Sequence, residues 1–180
     1  MKIAIVGKIA SGKSTLINEL SKLGHSTLSV DSVVNDLYKV NNEGYKRIES
    51  FFGPEFVNGK EVDRKKLSKH VVTDKVNLEV LNGLIHPLIQ DTIKKSNATF
   101  IELPILKSRY ISYNFNKVVL LECPNNISIE RLIKYRNFSN EKAINYINMW
   151  QEPDKEKVDL IIETRNNLTN LDIEKVVKLL

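Results

Sequence analysis

An α/β fold with a mainly parallel sheet is what this sequence predicts, on three observations. Short apolar runs alternate with stretches of helical spacing along the chain. The first run, Lys2–Val6, passes without a gap into a glycine-bounded loop and then into an amphipathic helix. The 180 residues suffice for one domain with a substantial core.

The elements follow in order. Lys2–Val6 reads as a buried strand of Ile and Val, and Gly7–Lys13 as the loop after it. Leu16, Ile17, Leu20 and Leu23 recur at helical spacing, and Gly24 supplies a stop. Thr27–Val30 is a second strand ending at Asp31, with a helix behind it. The middle reads as helical. Tyr45–Phe52 ends at Phe-Gly-Pro, Asn58-Gly59 is a turn, and Arg64–Val71 and Asn77–Lys95 are helices, the second interrupted by Pro87. Ala98–Leu103 and Lys117–Glu122 read as buried strands. Ile127–Tyr135 and Glu141–Trp150 read as helices around a polar RNFSN segment. Val158–Ile162 is the last strand and Leu171–Leu180 the last helix. In sheets of this kind the ligand site lies beyond the carboxyl ends of the strands, where Gly7 and Asp31 fall.

Composition narrows the class. Hydrophobic residues make up 42% and charged residues 27%, as in an ordinary globular chain, with no low-complexity linker. The net charge of +5 suits an anionic partner, but the lysines are dispersed rather than gathered, so a nucleic-acid partner is not expected. Cys123 is the lone cysteine, which leaves no internal disulfide. The IAIV run is too short for a signal peptide, and no stretch has the apolar length of a membrane span. A soluble, cytoplasmic protein without membrane contact is expected, a monomer or small homo-oligomer.

GKIASGKS, Gly7 to Ser14, matches G-x-x-x-x-G-K-[ST]. Glycines let the backbone wrap so that its N–H groups converge on phosphate oxygens, and a helix starting near Lys13 adds its positive end. In such a loop Lys13 reaches the β- and γ-phosphates and Ser14 offers its hydroxyl to Mg²⁺. The loop residues Lys8, Ile9, Ala10, Ser11, Gly12 and Thr15 belong to the same cradle. Asp31 is either a base or water-holding carboxylate, or the N-cap of the next helix. Arg131 and Arg136 are either phosphate-facing arginines or solvated helix-surface ones. Lying five apart, they do not share a helix face. His86, before Pro87, reads as a structural group. His25, His70, His86 and Cys123 lack metal-ligand spacing, and Trp150, Phe51 and Phe52 read as core. No Asn-Lys-x-Asp guanine motif is present, since Asn116-Lys117 runs into Val118-Val119. A basic lid-like segment in a chain of this length favours a small-molecule kinase over a GTPase or motor ATPase.

Along nearly its whole length the sequence resembles the dephospho-CoA kinase family. The resemblance is carried by GKIASGKST, the LG…VD stretch ending at Asp31, Phe52-Gly53, DRKKL with Arg64 and Leu67, and LEVLNGLIHPLI with His86. It continues through IELPIL with Glu102 and Pro104, ERLIKYRNFSNEKA with Arg131, Leu132 and Arg136, then Gln151, and VDLII. The resemblance implies a P-loop kinase core of the nucleoside-monophosphate-kinase type. A five-stranded parallel sheet would carry a helical acceptor-binding region at about 35–95 and a lid at about 131–151. It implies ATP with Mg²⁺ as phosphoryl donor and the ribose 3′-hydroxyl of dephospho-CoA as acceptor. Asp31 would be the general base, and Arg64, His86, Glu102 and Pro104 would lie toward the acceptor. Arg136, with Arg131, would lie over the phosphates, and Asp31 or Glu102 would hold the metal through water.

The chain departs from that family's pattern in places. Val33 and Leu37 stand where an acid and an arginine are usual, and Glu102 stands for an aspartate. Lys107 and Ser108 replace an expected glutamate, Ser128 a glutamine, and Lys8 and Ala10 common glycines. These positions bear on acceptor affinity and on how Mg²⁺ is held. The alternatives are a kinase of the same fold acting on a nucleoside or nucleoside monophosphate, and a catalytically degenerate nucleotide-binding module.

Overall fold

The computed structural model describes residues 1–72, 74–103, 115–150 and 153–180. Its contacts divide the chain into two compact units, 1–29 with 97–180, and 30–96.

The first unit is a five-stranded sheet in the order β2-β3-β1-β4-β5. Its strands are β1 (Ile3–Gly7), β2 (Thr27–Ser29), β3 (Phe100–Glu102), β4 (Lys117–Glu122) and β5 (Leu160–Glu163). Every pairing is parallel, with Ile5 opposite Glu102 and Val119, and Gly7 opposite Leu121. The chain leaves β1 toward β2 and leaves β4 toward β5, so the order reverses between β1 and β4, the place where such sheets bind ligands.

Alternation along the strands puts Ile3, Ile5, Val119, Leu121 and Ile162 in one core with Leu16, Ile17 and Leu20 of α1 (Lys13–Lys22). Ile173 and Val176 of α8 (Asn170–Val177) join that core. Strands β2 and β3 are shorter than the apolar runs that encode them. Val30 already starts a helix, and Ala98 and Leu103 are buried outside the ladder. β5 starts two residues later than its pattern suggests, because the Asp159 carboxylate accepts hydrogen bonds from Lys117 Nζ and the Val118 N–H ahead of it. Helix α1 stops as its sequence predicts. Gly24 at φ 88° donates to Ser21 O, and His25 N donates to Leu20 O, the paired bonds of a Schellman end.

A second, smaller cluster joins Leu132 of α6 (Asn125–Arg136) to Ala143 and Ile147 of α7 (Asn140–Asn148). Ile9 and Ala10 of the loop after β1 pack against it.

The second unit is helical: α2 (Val30–Leu37), α3 (Glu43–Phe52), α4 (Arg64–Val72) and α5 (Lys75–Lys95). α5 packs against the other three. Pro87 does not interrupt α5, contrary to the expectation of a break. Ile85, Ile89 and Ile93 recur at i, i+4 and i+8 on its buried face, and their burial outweighs the bond a proline removes. The exposed ring of Pro87 follows Gly83 by four residues, where nothing crowds a side chain. Phe51 was expected in the core but is 57% exposed, in the last turn of α3, with its ring edge-to-face on that of Phe52.

Candidate active site

The loop between β1 and α1 is a backbone construction. Gly7 has φ 153°, and a Cβ there would lie 2.5 Å from Ser11 Oγ and 2.7 Å from Leu121 O, so only glycine fits. Gly12, at φ 97°, caps α1 without any side-chain cap. The first intrahelical bond runs from Leu16 N to Gly12 O, so the N–H groups of Lys13, Ser14 and Thr15 precede any helical acceptor. That end offers donors and a positive dipole to an anion. Ala10 is a non-glycine residue held at φ 62°.

Two side chains complete the loop. Lys13 is 7% exposed, and its ammonium donates to Gly7 O (2.8 Å) and Lys8 O (3.0 Å). The two carbonyls thereby fix a nearly buried ammonium within the loop. Ser14, exposed, donates its hydroxyl to Glu102 Oε1 at 2.8 Å, joining the start of α1 to the carboxyl end of β3. The two oxygens present a hard-donor pair suited to Mg²⁺, which takes few protein ligands and completes its shell with water and phosphate. Among the described residues no group of three or more His, Cys, Asp or Glu side chains is placed to hold a metal ion.

Helix α6 borders the loop. Lys8 Nζ donates to Asn125 Oδ1 at its first turn. Arg131, half-buried, donates to Ala10 O (3.2 Å) and Thr164 O (2.9 Å). Arg136 is exposed in the last turn of α6, before Asn137 at φ 52° ends the helix. The two arginines therefore differ in kind, one engaged with backbone carbonyls and the other presented to solvent. A cavity of about 240 Å³ opens at the carboxyl ends of β4 and β5, lined by Lys8, Glu122, Cys123, Trp150, Glu163 and Arg165. Lys155 pairs with Glu122 at 2.7 Å beside it. Arg165 and the carbonyls of 164–166 carried no signal in the sequence, because a backbone acceptor has no side-chain signature. Ser128 is fully buried without a partner among the described residues.

In the second unit Asp31 is exposed in the first turn of α2 and follows the end of β2 by two residues. It is neither a strand end nor an N-cap, because α2 already begins at Val30. Val33, where an acid was expected, is 4% exposed and packs as core. Arg64 opens α4, with its guanidinium 4.9 Å from the centre of the Tyr38 ring. His86 is half-buried on α5. Pro104 and Gln151 lie outside the described residues.

A profile of the family "CoaE: Dephospho-CoA kinase" matches residues 1–171. The chain belongs to the dephospho-CoA kinase family. A dephospho-CoA kinase of Bartonella quintana (strain Toulouse) is 33% identical, aligned over 93% of this chain and 91% of the relative. One from Mycoplasma genitalium is 34% identical over 100% and 91%. Among solved structures, the dephospho-CoA kinase from Campylobacter jejuni is similar at TM-score 0.64 and 27% identity, covering 99% of this chain and 96% of that one. A shikimate kinase from Acinetobacter baumannii, at TM-score 0.59 and 14% identity, shares the fold alone, over 99% of this chain and 91% of that one. Family membership makes this chain an ATP-dependent phosphotransferase, performing the final step of CoA biosynthesis. It decides against the nucleoside-kinase and degenerate-module alternatives.

Proposed function

We propose that this kinase transfers the γ-phosphoryl group of ATP to the ribose 3′-hydroxyl of dephospho-CoA through the residues of the loop, α2 and α6. The loop amides and Lys13 bind the β- and γ-phosphates. Ser14 and, through water, Glu102 would hold Mg²⁺, which would supply charge neutralisation at the phosphate oxygens. Asp31 accepts the proton of the 3′-hydroxyl as its oxygen bonds to the γ-phosphorus. The bond from that phosphorus to the β–γ bridging oxygen breaks, and ADP departs. Arg136 covers the transferring group, and α6–α7, as the base of a lid at about 131–151, keep out water that would otherwise hydrolyse ATP. The helical unit, with Arg64 and His86, receives the acceptor. The reaction belongs in the cytoplasm.

The observation that carries this reading is the Lys13 ammonium fixed between Gly7 O and Lys8 O beside the Ser14–Glu102 pair. A charge locked in place before the reaction needs no reorganisation during it. The test is incubation with ATP, Mg²⁺ and dephospho-CoA, with CoA detected by mass spectrometry. CoA forms with the native chain, and Lys13→Ala and Asp31→Asn suppress it. Native-like turnover in a folded Asp31→Asn variant would remove Asp31 from the role of base.

A further inference from the structure

We infer that Arg131 is a positioning residue that holds the phosphate loop in its binding shape through Ala10. Its guanidinium is committed to backbone. It donates to Ala10 O at 3.2 Å and to Thr164 O at 2.9 Å, with Asn166 O at 3.2 Å and Arg165 O at 3.5 Å, and it lies 3.5 Å from Cys123 Sγ. A guanidinium has five N–H donors in a rigid fork, so one side chain can tie two chain segments together. Here it ties the loop after β1 to the segment after β5.

The loop end of that tie is unusual. Ala10 sits at φ 62°, a left-handed conformation that a Cβ disfavours and that glycine adopts freely. The surrounding structure must therefore impose it. Residues 8, 9 and 10 are all held by the α6–α7 pair. Lys8 bonds Asn125, Ile9 and Ala10 pack on the Leu132–Ala143–Ile147 cluster, and the Ala10 carbonyl accepts from Arg131. Residues 12–14 belong instead to the start of α1. The curvature that turns the loop amides inward lies between these two anchorages. Arg131 therefore acts on ATP through the loop, and an alanine at position 10 is tolerated because Arg131 is present.

This inference rests on the loop being the ATP phosphate site, which Lys13→Ala tests separately by its loss of ATP binding. Arg131→Ala raises KM for ATP, and Kd for ATP in calorimetric titration, by about tenfold, the factor that left-handed strain at one residue corresponds to. It changes kcat and KM for dephospho-CoA much less. Arg131→Lys behaves like Arg131→Ala, because a point charge does not bridge Ala10 and Thr164. Adding Ala10→Gly to Arg131→Ala recovers a measurable part of the ATP affinity, since glycine populates positive φ unaided. Thermal melts of each variant confirm folding. If Arg131 instead met the transferring phosphoryl, Arg131→Ala would lower kcat and kcat/KM equally at unchanged ATP Kd. That split, full activity in Arg131→Lys, or strictly additive effects of the two substitutions would each overturn the inference.

Discussion

The phosphate loop and the helical unit 30–96 handle charge in opposite ways. In the loop the charged group is nearly buried and fixed by backbone: Lys13 is 7% exposed and held by two carbonyls. In the helical unit Asp31 and Arg64 are exposed on first turns of helices, and Arg64 is steadied by the face of an aromatic ring. A buried charge with fixed partners is preorganised, and its contribution survives salt. Exposed groups are screened and gain strength only when a substrate excludes water from around them. On the mechanism proposed above, the donor side would be built before ATP arrives, while the acceptor side would depend on dephospho-CoA to complete it.

That contrast predicts graded effects. The largest is expected at Lys13. Lys13→Ala is expected to lower kcat by about 10²- to 10³-fold at unchanged melting temperature if, as proposed, its positive charge meets the phosphates where charge moves. Steady-state CoA formation alongside thermal melts checks both halves.

Gly7→Ala breaks the donor side by another route. Its Cβ meets Leu121 O, a backbone atom that cannot swing away. A loss of about 3 kcal/mol in urea unfolding is expected, the upper range for overpacking a tight site. A Gly24→Ala control bears only the positive-φ strain, as nothing crowds its Cβ, and should lose clearly less.

Arg64→Ala sharpens the acceptor side. KM for dephospho-CoA rises about tenfold while KM for ATP holds, as for loss of one charge-assisted contact to an anionic acceptor. The effect shrinks as KCl is raised, in contrast to that of Lys13→Ala. Equal salt dependence at both residues would undo the distinction between the two regions.

The smallest effect concerns the N-terminus of α8. Thr169 and Asp172 form its capping box. The hydrogen bond from the Thr169 hydroxyl lowers the Asp172 pKa below 3.8, against the opposing effect of burial and with help from the Thr169 N–H and Lys175. A depressed carboxylate stabilises fully above its unfolded value, and that contribution drains away as pH falls through the folded value. The melting-temperature gap between native chain and Asp172→Asn should therefore stay constant near neutrality and close below pH 3.8. Thr169→Ala costs about 1 kcal/mol at neutral pH, with CoA formation unchanged.

Much of the donor site was legible because glycine, lysine and serine at fixed spacing leave few physical alternatives. Gly7, Gly12, Lys13 and Ser14 all stand where the motif puts them. Arg131 was legible as a residue but not in its engagement. Its partners are carbonyls of Ala10 and of 164–166, and any residue type supplies a carbonyl. Position 33 shows the converse. The valine reads as a missing acid beside Asp31, and in the fold it is core of α2.

By itself the sequence determined the alternation of strands and helices, the phosphate loop and the family, because hydrophobic period, glycine conformation and ordered motifs are local properties of the chain. Tertiary structure decided the strand order, the unbroken course of α5 through Pro87, and the tie from Arg131 to the loop. Those depend on burial and on backbone groups brought together from distant parts of the chain, which no local pattern encodes.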